Sequence, residues 1–120
     1  MIVALLVGLA GGVGASARYV VEAEVTGRVG SAWPWGTGLV NVAASLILGL
    51  VTGLVTERSG SDIALVVGTG FCGGFSTWSA VTWEVLVLGR TSSTRATVYS
   101  VVAPVSSIAA AAVGLALGRL

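Results

Sequence analysis

A small set of polar side chains interrupts the long apolar stretches of this 120-residue chain: Asn41, then Ser76, Thr77, Ser79, Thr82 and Glu84, then Tyr99, Ser106 and Ser107. A polar group in hydrocarbon must find a partner, so each is a functional candidate by default. Hydroxyl and amide hydrogens donate, the edge of an aromatic ring such as Trp78 is electropositive, and the N-terminal end of a broken helix carries partial positive charge. A track of such groups suits a small anion. No arginine stands among them, and weak neutral donors let a dehydrated anion enter without deep trapping. The plainer alternative is that the hydroxyls bond to their own helix carbonyls and Asn41 holds two helices together.

A second feature has the opposite appetite. Gly68, Gly70, Gly73 and Gly74 precede Phe75-Ser76-Thr77-Trp78-Ser79 in one apolar stretch. Glycine costs about 1 kcal/mol relative to alanine in a helix interior, and a glycine pair is a recognised point of breakage. Carbonyls freed between Gly73 and Ser76 would coordinate a cation, and two such breaks meeting on a dimer axis could enclose one without any side-chain charge.

Other chemistries are excluded by residue type. The chain has no histidine, so imidazole catalysis and imidazole zinc sites are ruled out, and its one cysteine, Cys72, sits in an apolar run as a small hydrophobe. No nucleophile and base are paired, which points away from an enzyme. Gly68-Thr69-Gly70-Phe71-Cys72-Gly73 matches a dinucleotide-binding glycine pattern, but no acid follows about 20 positions later and no βαβ unit fits the remaining chain. A net charge of +1 gives no electrostatic footprint for nucleic acid.

The elements that must position these groups follow from hydropathy. Hydrophobic residues make up 55% of the chain and charged residues 9%, with a mean hydropathy of +0.99. Too little polar surface remains for a water-facing shell, so the solvent is lipid. Apolar stretches of about 20 residues, the length that crosses a bilayer as a helix, predict four spans at residues 2–21, 36–56, 63–88 and 97–118, forming one transmembrane domain over residues 1–120.

Arg18 lies near the end of the first span with Glu22 at i+4 as its expected partner. Trp33 and Trp35 are expected at headgroup depth. The short charged run Glu57-Arg58-Ser59-Gly60-Ser61-Asp62 is expected to join antiparallel spans two and three. Each span carries glycines at i, i+4 spacing, Gly8/Gly12, Gly49/Gly53, Gly70/Gly74 and Gly114/Gly118, which lets helix backbones approach. Loop arginines are nearly balanced between the two sides, which permits insertion in both orientations.

With these residues in place, the sequence resembles the CrcB/Fluc family of fluoride channels along its whole length. Gly11-Gly12-Val13-Gly14-Ala15-Ser16-Ala17-Arg18-Tyr19 looks like the family's GGxxGAxxRY, Pro34-Trp35-Gly36-Thr37-Gly38-Leu39-Val40-Asn41 is similar to PxGTLxVN, and Gly70-Phe71-Cys72-Gly73-Gly74-Phe75-Ser76-Thr77 looks like GFCGGxTT. The resemblance implies an all-α dual-topology dimer of antiparallel four-helix subunits in the cell membrane, with a broken third helix and passive release of cytoplasmic fluoride. It also implies a structural sodium ion, not transported, held by the backbone carbonyls of Gly73 and Ser76. The pore asparagine falls on Asn41 and the family glutamate on Glu84, with Trp78, Ser79, Val81, Tyr99 and Ser107 along the fluoride pathway. Arg18 and Gly74 take structural places.

The departures are specific. Where the family writes TTFSTF, this chain has Ser76-Thr77-Trp78-Ser79-Ala80-Val81, so Val81 offers no ring edge; the Tyr-xxx-Ser-xxx-Ser track of span four reads Tyr99, Ala103, Ser107. Two arrangements follow: a self-sufficient homodimer with an altered pore, or one subunit of a heteromer whose partner, a second family member, supplies the missing groups. A small four-helix exporter of the multidrug-resistance type shares the architecture but expects a carboxylate in the middle of span one, where this chain has none before Glu22.

Overall fold

The computed structural model describes residues 1–55 and 61–120. The expected turn formed by Glu57, Arg58 and their neighbours therefore lies largely outside the described residues. Helix α1 spans Ile2–Val29 and α2 spans Trp35–Val55. The third span is composite: α3 (Asp62–Ala64), a π-helical segment (Leu65–Cys72), α4 (Gly73–Phe75) and, after a break, α5 (Trp78–Gly89). Helix α6 (Ser93–Gly118) completes the chain. Four helical spans are long and apolar enough to cross a membrane: Ile2–Val29, Trp35–Val55, Asp62–Gly89 and Ser93–Gly118. Among the described residues there is no strand, and this is a multi-pass, all-α membrane protein.

Two boundaries differ from the hydropathy reading. Helix α1 continues through most of the stretch expected as the first loop, since Glu22 to Thr26 contains no breaker and Arg28 closes an i,i+4 ion pair with Glu24 at 2.7 Å. It ends at Gly30, whose φ of 82° is open only to glycine at low cost, while its N–H bonds back to the Thr26 carbonyl. Helix α6 begins at Ser93 rather than near Thr97, because the Ser92 side chain accepts from the Arg95 N–H as an N-cap.

Glycines set the packing. A Cβ on Gly49 would overlap the Ala111 carbonyl of α6, and one on Gly114 would overlap the Leu46 carbonyl of α2; Gly53 and Gly118 meet one another's backbones one turn further along. Contact positions rise together along α2 and α6, so the two helices run parallel. The first and third spans pair in the same sense: Gly70 lies against Val7 and Ala10, Gly74 against Gly11, and Gly14 against Phe71 and Phe75. Consecutive spans therefore alternate in direction, and the backbone-to-backbone seams join spans one with three and two with four. Gly8 and Gly12 face open space instead; Gly11 and Gly14 carry the α1 seam in their place.

The described core falls into two apolar clusters. Val40, Ala44, Cys72 and Phe75 pack α2 against the third span, while Val81, Leu88, Ala96, Tyr99 and Ala103 pack α5 against α6. Trp33 is half-buried, standing edge-on to Tyr99 at 5.3 Å and 90° with the Arg95 guanidinium 5.7 Å from its ring centre. Arg95 also donates to the Ala32 carbonyl, so the start of α6 is tied to the loop between the first two spans.

Gly114→Ala should lower the melting temperature of the detergent-solubilised protein by the equivalent of about 1–3 kcal/mol, the usual effect of overpacking. Gly27→Ala, at a glycine with nothing within 4 Å, should leave melting unchanged or raise it slightly. A stable Gly114→Ala would dismiss the backbone seam as the origin of the packing.

Candidate functional site

The break in the third span is held by one side chain. Ser76 is extended (φ −76°, ψ 159°), as is Thr77 (φ −155°, ψ 123°), so the helical hydrogen-bond ladder stops between Phe75 and Trp78. Asn41, from α2, repairs it in both directions. Its Oδ1 accepts from the Thr77 N–H at 2.7 Å, and its Nδ2 donates to the Thr77 carbonyl at 2.9 Å. The side-chain amide thus does the work of a peptide group. Thr77 in turn caps α5, its Oγ1 accepting from the Ala80 N–H at 3.1 Å and sharing a 3.1 Å hydrogen bond with Ser79. Thr77 is buried, so none of this relies on bulk water.

Beside the clamp lies a cavity of about 330 Å³ whose wall includes Asn41, Ser45, Ser76, Trp78, Val81 and Ser107. Three kinds of neutral donor converge there. Asn41 keeps a second Nδ2 hydrogen after bonding Thr77. The N-terminus of α5, a 12-residue helix, opens at Trp78 with the positive end of its dipole. Ser45 adds a hydroxyl; the Ser107 hydroxyl gives its hydrogen to the Ala103 carbonyl at 2.9 Å, the back-bonding habit of serine in helices, and lines the wall as an acceptor. No charged side chain lines this cavity. It can hold a small anion or a polar neutral molecule.

A second cavity lies across the break, bordered by Arg18, Tyr19, Glu22, Ser79 and Trp83, with Thr77 common to both walls. The expected pathway residues are therefore divided. Asn41, Trp78, Val81 and Ser107 meet in the first cavity, and Ser79 stands in the second beside Arg18. Glu84 lines a third with Glu22 and Thr37. Tyr99 is buried in the α5–α6 core and borders an apolar cavity with Trp33 and Trp35. Val81 and Ala103 belong to that core as well as to the first cavity. Arg18 does not close the expected ion pair, because Glu22 Oε1 is buried without a hydrogen-bond partner. Ser45 was not singled out by sequence, although it follows Asn41 by four residues and so shares its helix face.

The carbonyls at the break fit a hard cation. The Thr77 N–H, which would return to Gly73 in a continuous α-helix, is taken by Asn41, and the extended Ser76 turns its own carbonyl out of the helical direction. The Gly73 Cα faces open space, unlike Gly74, which is pressed against Gly11. The oxygens of Gly73 and Ser76 thus stand outside the helical ladder, while Gly74 belongs to the packing seam.

A four-span membrane protein with a side-chain-clamped broken helix and neutral donors at the break is the class that fold and site define. Residues 5–115 match the family described as CrcB-like protein, Camphor Resistance (CrcB), and the chain belongs to that family. It is 43% identical over 120 residues to fluoride-specific ion channel FluC 1 of Symbiobacterium thermophilum, covering 95% of each chain. It is 38% identical over 119 residues to fluoride-specific ion channel FluC of Hyphomonas neptunium, covering 96% of this chain and 94% of that one. The protein of the same name from Phenylobacterium zucineum is 36% identical over 119 residues, covering 96% and 94%.

Asn41→Ala should destabilise the fold by about 2–6 kcal/mol, since it strands both the N–H and the C=O of Thr77 at about 1–3 kcal/mol each. Ser45→Ala, on the same face, should cost less than about 1 kcal/mol. Thermal melting of both variants in detergent checks the difference, and equal melting would reject the clamp.

Proposed function

We propose that this chain forms a fluoride-selective channel that passively exports cytoplasmic fluoride across the cell membrane and lowers its internal concentration. The observation that carries this reading is the cavity at the N-terminus of α5, where Asn41, Ser45 and the helix dipole offer hydrogen-bond donors without a formal charge. Fluoride is the smallest halide and the strongest hydrogen-bond acceptor among them. Donors of this kind replace its hydration shell, and their neutrality lets it leave. The names of the relatives support the choice of fluoride over other anions.

The assembly we propose is an antiparallel dimer, either of this chain with itself or with a second family subunit. The carbonyls of Gly73 and Ser76 from the two breaks then hold a structural sodium ion, which supplies fixed positive charge at the dimer centre and is not transported. In support, the Asn41 clamp takes the Thr77 N–H that would otherwise bond the Gly73 oxygen, and the Gly73 Cα faces open space. Arg18 and Ser79 stand in the cavity across the break, on the continuation of the same path.

A second arrangement is favoured by one observation. Val81 and Ala103 put aliphatic groups on the cavity wall where the family pattern has a ring edge and a hydroxyl. A heteromer in which this chain is the pore-poor subunit accounts for them.

Liposomes holding only the purified protein, in sodium buffer, should release fluoride rapidly and chloride not at all. Chloride release equal to fluoride release would overturn the reading. Silence from folded dimers, followed by fluoride release once a second family member is co-reconstituted, would establish the heteromer. Replacing sodium with a large organic cation should lower the melting temperature of the wild-type dimer, because a ligand bound only to the folded state stabilises it by mass action.

A further inference from the structure

Several hydroxyls along the helices share one outlet. Thr52, Thr82 and Thr97 donate to the carbonyl four residues back, at 2.7, 3.1 and 2.9 Å. Ser106 and Ser107 both donate to the Ala103 carbonyl, at 3.0 and 2.9 Å. In hydrocarbon this local bond satisfies the O–H without any partner from another helix. Ser45 departs from the habit. It is half-buried in the middle of α2, within reach of the Asn41 and Val42 carbonyls by the same rule, yet among the described residues its hydroxyl bonds to nothing. It lies instead on the wall of the first cavity.

The seam between α2 and α6 fixes what Ser45 faces. A Cβ on Gly49 would meet the Ala111 carbonyl and the Leu115 nitrogen, so Gly49 sits against the turn from residue 111 to residue 115. Ser45 is one turn before Gly49 on the same face. Because the two helices run parallel, Ser45 comes opposite the turn from Ser107 to Ala111, and Asn41 opposite the turn from Ala103 to Ser107. All of Asn41, Ser45, Ala103 and Ser107 border the one cavity. On the α6 side of it, Ala103 has no hydroxyl and the Ser107 hydrogen is engaged by the Ala103 carbonyl. Ser76 is also without a hydrogen bond among the described residues, but it stands on the break rather than on the seam.

We infer that Ser45 is the hydroxyl donor to the passing anion at this level of the path, taking the place that α6 leaves empty at Ala103, so that the chain conducts without a partner subunit. The inference rests on the fluoride-channel reading and adds to it the residue that replaces the missing group. Asn41 and Ser45, one turn apart on one helix face, then hand the ion along α2. The polar track of the path has crossed from α6 to the facing helix, and Val81 and Ala103 form its apolar far wall. A donor with no competing acceptor inside the protein is also the one whose hydrogen turns to the ion without breaking another bond.

Fluoride release from sodium-buffered liposomes holding one protein at a time tests this. Ser45→Ala should slow release about tenfold, the effect of losing one hydrogen bond to a charged acceptor, with the melting temperature close to that of the wild type. Ser100→Ala, at an exposed hydroxyl bonded to the Thr97 carbonyl, should release fluoride at the wild-type rate. Ala103→Ser placed in the Ser45→Ala background should recover most of the lost rate, because it returns a hydroxyl to the same cavity from the other side. A Ser45→Ala protein as fast as the wild type, or a double variant no faster than Ser45→Ala, would overturn the inference and leave the channel standing. Silence of the wild-type chain alone, with release once a second family subunit is added, would do the same. Chloride release as fast as fluoride release from the wild type would instead reject the channel reading, and this inference with it.

Discussion

A peptide group exposed to hydrocarbon costs several kcal/mol, and the arrangement of this chain follows from how it meets that constraint at one place. Between Phe75 and Trp78 the backbone leaves the helix. The departure is tolerable because Asn41 satisfies both polar groups of Thr77 at once. That demand fixes the distance and rotation of α2 relative to the third span. It also sets the cavity position, since the same amide that clamps the break faces the space beside it. A single asparagine therefore joins the repair of the break to the lining of the cavity, and neither can be altered without the other.

The glycine seams serve this clamp. An asparagine side chain is short, so the helix bearing it must pass close to the break. The flanking helices are positioned by contacts between backbones, at Gly49 and Gly114 on one seam and Gly11 and Gly74 on the other. Without a hydrophobic force between helices in lipid, close packing of this kind is the main source of association. The parallel pairing of spans one with three and two with four leaves α5 free of a seam. It is held instead by an apolar face, Val81 and Leu88 against Tyr99 and Ala103. The half-helix that opens the cavity beside the break is thus packed through side chains alone.

Much of this was legible in the sequence. Four spans, the break after Gly74, the placement of Asn41 one turn inside span two and the family itself could all be read from hydropathy, glycines and motifs. What escaped reading has physical reasons. Helix ends in the first and fourth spans depend on local caps and an i,i+4 ion pair, which hydropathy does not weigh. The ring contacts of Trp33 are made by Tyr99 and Arg95, far away in the chain. Arg18 and Glu22 have the spacing of an ion pair, yet Glu22 Oε1 is buried without a hydrogen-bond partner. The i, i+4 rule finds glycine pairs but cannot say which face of α1 meets the third span, and Gly11 and Gly14 took the place of Gly8 and Gly12.

The π-helical segment Leu65–Cys72 bears on how this chain can change over evolutionary time. A wide turn accommodates one more residue than an α-turn, and each residue rotates a helix by about 100°. Losing one residue there would return the segment to ordinary helix with the flanking faces near their register, whereas a residue lost from the regular helix on either side would rotate the break relative to Asn41 by about 100°. Within the membrane, length variation is therefore absorbed best in this one stretch. The π-helix is a spacer that can take up a residue while the clamp is kept.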